Sequence, residues 1–220
     1  MFNYPKQAIY NKVLPKSKIY EQAKPGKAVR ECFVKQVDQI VWKYVLATRT
    51  INLPVRKPVQ EIAIIEISLR TKDVKEDVLR VIDKAVPVPI FYILKYKDQI
   101  KSVAAYKRPS EADHDKWVVS AYFGTPWQSA DIERPELPVA LDMSKLYEQM
   151  LRRHISMPPR PKESLKDQVE RMMQIRSKDI ECRKLESLIN KEKQFNRKVE
   201  INSQLRSLKR ELENLSAKAL

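Results

Sequence analysis

Glu61 and Glu66 have the clearest chemical potential of any side chains in this sequence. They lie in Val59-Gln-Glu-Ile-Ala-Ile-Ile-Glu-Ile-Ser-Leu69, a run rich in β-branched residues and apolar in both alternating phases, the pattern of a strand covered on both faces. Carboxylates on such a strand are hard oxygen ligands of the kind Mg²⁺ prefers, and metal-dependent nucleases place them beside a lysine. In a helix-strand-helix-strand order such as this one, that pairing takes the form of an acid-x-lysine on the strand. The pattern fails at Glu66-Ile-Ser68, where serine stands in place of lysine and Arg70 lies two residues further on. Ion pairing of both carboxylates to nearby Lys or Arg is the competing role.

Other reactive groups are sparse. His114 stands among Glu111, Asp113 and Asp115 without a second histidine or cysteine at ligand spacing, so a solvated loop is expected and no metal site is assigned. His154 closes a short helix, where a cation suits the helix dipole. Ser68, Ser102 and Ser120 lack a nucleophile-elbow setting. Cys32 and Cys182 are far apart and fit neither a zinc site nor a disulfide framework. With two glycines in 220 residues, the chain has no phosphate-cradling loop or dinucleotide fingerprint, and no cofactor is expected.

Charge points outward instead. The formal net charge is +15, which favours a polyanionic partner, DNA or RNA first. Two sets of basic residues are candidates for phosphate contact. Lys6, Lys12, Lys16, Lys18, Lys24 and Lys27 form a basic arm over residues 1–28, punctuated by Pro5, Pro15 and Pro25. Tyr4, Tyr10 and Tyr20 interleave with them, either to stack on bases or to pin the arm to its own domain. Lys191, Lys193, Arg197 and Lys198 surround Phe195 in the second set.

These groups are positioned by a core over residues 29–153. Val29, Phe33, Val37, Ile40, Val41 and Tyr44 predict a helix from Ala28 to about Ala47. The core strand follows, then a helix with Asp73 as N-cap and Val74, Val78, Val81, Ile82 and Ala85 on one face. Pro87-Val-Pro89 ends it, and Ile90-Phe-Tyr-Ile-Leu94 makes a second strand, giving a right-handed βαβ unit. A hairpin partner at 100–107 and a strand at 117–123 bring the mixed sheet to about four strands. The segment 128–138 is expected as a surface loop, and Asp142 caps a helix that presents Met143, Leu146, Tyr147, Met150 and Leu151 to the core.

Residues 154–162 are a Pro-rich linker, and 163–220 form a long helical, coiled-coil-like segment. From the Ser164–Asp167 capping pair to Leu215 there is neither Pro nor Gly, about 52 residues or 78 Å if straight. Leu185, Leu188, Phe195 and Val199 trace one apolar seam; Leu205, Leu208, Leu212 and Leu215 trace another, out of phase with it. Either a stutter near Asn202 or a hairpin turn around 176–179 accommodates the slip. Both seams are assigned to partner binding. The overall class is α+β with an α/β-like core. The chain start has no export pattern and no run is long enough to span a membrane, so a cytoplasmic location is expected.

Several ordered motifs identify a resemblance: Trp42 with Ile51-Asn-Leu-Pro54, Glu61-Ile-Ala-Ile-Ile-Glu-Ile67, Ile82-Asp-Lys-Ala-Val-Pro-Val-Pro-Ile-Phe91, Tyr122-Phe-Gly-Thr-Pro-Trp127, Leu141-Asp142 with Leu146-Tyr147, and Glu192-Lys-Gln-Phe-Asn-Arg-Lys-Val-Glu-Ile-Asn202. Together they resemble the prokaryotic family called domain of unknown function 4391, over nearly the whole chain. The resemblance implies genes encoded beside helicases, DNA methyltransferases and other restriction or phage-defence components, and it transfers no catalytic residue.

The leading expectation is a non-catalytic accessory subunit of a DNA-directed, antiviral defence system. Its C-terminal helix would bind a helicase or methyltransferase-type protein, or a second copy of the chain, and its basic surfaces would bind nucleic acid. The alternatives are a diverged Mg²⁺ nuclease using Glu61 and Glu66, of the restriction-endonuclease-like type that the helix-strand-helix-strand order resembles, and a purely structural coiled-coil scaffold.

Overall fold

The computed structural model describes residues 1–110, 112 and 117–217, so His114 and its acidic neighbours lie outside the described residues. The chain divides into two compact units, Met1–His154 and Ile155–Leu220.

Among the described residues, the first unit is built on one mixed sheet of seven strands: β1 (Ile9–Val13), β2 (Val37–Ala47), β3 (Glu61–Leu69), β4 (Ile90–Tyr96), β5 (Gln99–Pro109), β6 (Trp117–Gly124) and the two-residue β7 (Gln128–Ser129). The first six lie side by side in chain order, and β7 pairs with β5. All pairs are antiparallel except β3 with β4, which are parallel and joined by a helix, α4 (Glu76–Ala85). The expected βαβ unit and the class α+β are therefore present, with more strands than anticipated.

One face of the sheet carries α1 (Lys16–Ala23), α2 (Lys27–Gln36) and α4. Ile19, Phe33, Val78 and Ile82 from these helices pack on Ala63, Ile65 and Ile67 of β3 and on Tyr92 of β4, all at 3% exposure or less. Burying each such aliphatic side chain stabilises the fold by about 1.5–3 kcal/mol. The opposite face receives α5 (Met143–Arg152), whose Tyr147 ring meets Phe91 edge-on at 6.1 Å. Asp142 caps α5 by accepting from the Lys145 N–H at 2.8 Å, and the five expected apolar residues of that helix are all buried.

Three expectations about the elements of the first unit are corrected. The segment 28–47 is only half helical: α2 ends at Gln36, and Val37–Ala47 is a strand, followed by the short α3 (Thr48–Ile51). Val37, Ile40, Val41, Tyr44 and Val45 suit either a helix or an irregular strand, and bulges near Asp38 and Lys43 hide the two-residue period. Residues 1–28 are not a separate arm. β1 is the edge strand of the sheet, and Tyr4, Tyr10 and Tyr20 meet Tyr44, Trp42 and Phe33 at ring separations of 4.8–5.5 Å. Asp73 does not cap α4; the cap position is Lys75, and Glu76 pairs with Arg80 one turn on.

The second unit is a helical hairpin of α6 (Leu165–Lys191) and α7 (Phe195–Ser216). Ser164 caps α6 by accepting from the Asp167 N–H at 3.1 Å, as expected. The turn, however, is at 192–194 and not at 176–179. No Gly or Pro marks it; the Glu192 carboxylate accepts from the N–H groups of Lys193 and Gln194 at 2.8 and 3.0 Å. Cys182, Leu205 and Leu208 form the buried seam, flanked by Leu185, Ile189 and Leu212. Cross-helix pairs Lys178–Glu211 and Lys209–Glu186 border it.

Candidate nucleic-acid and partner interface

The hairpin divides the apolar residues of α6 between two opposite sides. Cys182, Leu185 and Ile189 face α7. At 100° per residue Met173 and Ile180 fall on the other side of the helix and Leu188 on the flank between the two sides, and they are 43%, 54% and 52% exposed. A single-faced helix has no need of this second stripe. On α7, Leu205, Leu208 and Leu212 are spent inside the hairpin, with Leu215 half-buried near its end, whereas Phe195 and Val199 are 77% and 53% exposed. The predicted partner seams are thus split: Leu185, Leu205, Leu208 and Leu212 hold the chain to itself, and Leu188, Phe195 and Val199 remain outside.

The turn gathers the second basic set. Lys191 ends α6, Lys193 lies in the turn, and Arg197 and Lys198 are in the first turn of α7, directly after Phe195. Glu192 is the one acid within 191–198. It sits 3.4 Å from Arg197, and hydrogen bonds from Lys193 and Gln194 hold its carboxyl below the usual carboxylate range.

The N-terminal lysines divide by role. Lys6, Lys12, Lys18, Lys24 and Lys27 are exposed. Lys16 instead donates to the Val37 carbonyl at 2.5 Å and reaches the Phe33 carbonyl at 3.5 Å, closing the C-terminal end of α2. Burial there lowers its pKa.

Glu61 and Glu66 are not brought together. Five residues apart on a regular strand, they point to opposite sides of the sheet. Glu61 lies 3.9 Å from Arg49, and Glu66 lies 3.9 Å from both Lys43 and Lys95. Both carboxylates are matched by cations, the competing role named for them in the sequence.

The buried polar chemistry of the first unit lies elsewhere. Lys107 Nζ is 2.7 Å from Asp83 Oδ1, with both side chains fully enclosed, and donates to the Val88 carbonyl at 2.6 Å. The Tyr122 hydroxyl donates to the other Asp83 oxygen, which together with burial pushes the phenol pKa far up. Ser102 and His154 form a second pair: His154 Nδ1–H donates to the Met150 carbonyl at 2.9 Å, so Nε2 accepts from the Ser102 hydroxyl at 2.7 Å. Burial drives the His154 pKa down to about 4. It is therefore a neutral core residue and not the dipole-stabilising cation expected from its place at the helix end.

The segment before α5 alternates between exposed and half-buried residues. Val139 and Leu141, two residues apart in the segment before α5, are 92% and 85% exposed. Nothing in Leu137-Pro-Val-Ala-Leu141 distinguishes outward apolar residues from inward ones without the fold.

The match to a family model completes this picture. The model described as Domain of unknown function (DUF4391) covers residues 2–212. The chain belongs to that family. Comparison with curated proteins and with solved structures found no match. In this DUF4391 chain the match spans both units, so the hairpin is as much a part of the family's sequence as the sheet. Among the described residues, no helix is long and apolar enough to cross a membrane.

Proposed function

We propose that this protein is a non-catalytic accessory subunit of a DNA-directed prokaryotic defence system, with the hairpin as its docking element. The observation that carries the reading is the two-sided α6. A helix already packed along one side by α7 keeps Met173 and Ile180, seven residues apart, on the other, with Leu188 on the flank, and exposed apolar residues at this spacing are what a partner helix lays itself against. The partner is a helicase or DNA methyltransferase encoded alongside it. The exposed lysines of the first unit and the basic turn of the second act on nucleic acid, in keeping with the net charge of +15.

Ile180→Glu combined with Leu188→Glu, in the full chain, tests the docking. Co-purification with the neighbouring helicase or methyltransferase should be lost while helix content by circular dichroism is unchanged. Retention of the partner by the double variant would overturn the assignment. Plasmid incubated with the protein and Mg²⁺ separates this reading from the nuclease alternative, which requires cleavage that Glu66→Gln abolishes.

A further inference from the structure

We infer that the hairpin turn is a single-strand nucleic-acid contact in which a base stacks on Phe195 while Lys191, Lys193 and Lys198 meet the flanking phosphates. The inference rests on the reading that this protein acts on nucleic acid, and it names the form of nucleic acid and the point of contact.

Phe195 is the first residue of α7 and 77% exposed, the most exposed aromatic ring among the described residues. A phenyl ring so placed contributes nothing to the hairpin seam, which begins further along at Leu205 and Cys182. The turn beneath it is fixed independently of the ring, by the Glu192 carboxylate bonded to two backbone N–H groups. Phe195 is therefore held out on a rigid support at little cost in side-chain entropy, as a stacking platform requires.

The charge around the ring selects the occupant. Glu192 is engaged with the turn backbone and with Arg197. Lys191, Lys193 and Lys198 have no close ion-pair partner among the described residues, and of the three Lys198 alone feels the Glu192 charge, so the turn carries an excess of positive charge next to Phe195 in the chain. An anionic chain with planar groups between its charges complements this arrangement. Duplex DNA offers the phosphates but keeps its base faces stacked, whereas a single strand offers both. Val199, one turn along α7 from Phe195, adds aliphatic surface on the same side of the helix at 53% exposure.

The test uses the full chain, a labelled oligothymidylate and a duplex of equal length, with anisotropy as the readout. Phe195→Ala should weaken single-strand binding by about tenfold and leave duplex binding within about twofold. Phe195→Trp should restore it, with indole emission quenched on addition of the single strand. Helix content by circular dichroism confirms that each variant is folded. Equal single-strand affinity for Phe195→Ala and the parent overturns the inference while leaving the proposed function standing, as does equal weakening on single strand and duplex. Absence of any nucleic-acid binding overturns both the inference and the nucleic-acid part of the proposed function. Binding to vesicles of anionic lipid that needs Phe195, without binding to oligothymidylate, overturns it in favour of a membrane contact.

Discussion

Lys107 on β5 and Asp83 on α4 face each other at 2.7 Å with no solvent access to either side chain. Lys107 also donates to the Val88 carbonyl, just beyond the end of α4, and Asp83 accepts from Tyr122 on β6, so the pair ties the crossover helix to two strands. Desolvating two charges costs more than surface pairs return, and removing one partner strands the other. Lys107→Met or Asp83→Leu alone should cost about 3–5 kcal/mol in urea unfolding, and the double variant Asp83→Leu with Lys107→Met markedly less than the sum. Additive losses would show that the pair is not the coupled unit described here.

His154 predicts a pH dependence. Its folded pKa is about 4, below the ordinary 6.5, so the unfolded chain takes up the proton first as pH falls. The stabilising contribution is complete above 6.5 and is lost progressively between 6.5 and 4, by up to about 3 kcal/mol. Asp142 and Glu163 also have lowered pKa values, but as carboxylates they act towards the acid end of this range. The difference in unfolding free energy between the parent and His154→Gln should therefore shrink as pH drops from 7 to 5. A constant difference would place His154 in a solvated setting.

The sequence was most legible where one force dominated. Burial on both faces made the β3–α4–β4 unit readable from β-branched runs and prolines, and Asp142 made the start of α5 readable from its cap. The strand β2 was hidden because its bulges break the alternation that distinguishes a strand from a helix. The hairpin turn was hidden because a glutamate side chain, and not glycine or proline, satisfies its backbone. At the candidate sites, the basic sets and the apolar seams were visible as residue types. Which members face solvent was not: Lys16 is consumed by carbonyls, Leu205 by α6, and Met173 and Ile180 are left outside.

Arg171 and Arg160 lock the far end of the hairpin. Arg171 pairs with Glu163 at 2.7 Å, largely shielded from water, and reaches the Leu215 carbonyl at 3.4 Å; Arg160 donates to the carbonyls of Asn214, Leu215 and Ala217. These contacts cap the end of α7 with cations, where the helix dipole favours them. Arg171→Ala should expose the last turns of α7 to hydrogen exchange, leaving the rates in β3 and β4 unchanged. Protection of α7 equal to that of the parent would assign its stability to Arg160 and the apolar seam, without Arg171.

The N-terminal lysines offer a prediction in which one member behaves unlike the rest. Each exposed lysine that meets a phosphate releases counterions, so neutralising Lys6, Lys12, Lys18, Lys24 and Lys27 together should flatten the dependence of log affinity on log salt. Lys16 has its ammonium turned inward to the Val37 and Phe33 carbonyls, and its loss removes donors from the end of α2. Lys16→Met should therefore leave the salt slope unchanged and lower unfolding stability by about 1–3 kcal/mol, the cost of unpaired carbonyls at a helix end. Salt titration of oligonucleotide binding beside urea unfolding separates the two roles. A reduced slope for Lys16→Met with unchanged stability would return that lysine to the nucleic-acid surface and loosen the join between α1 and α2.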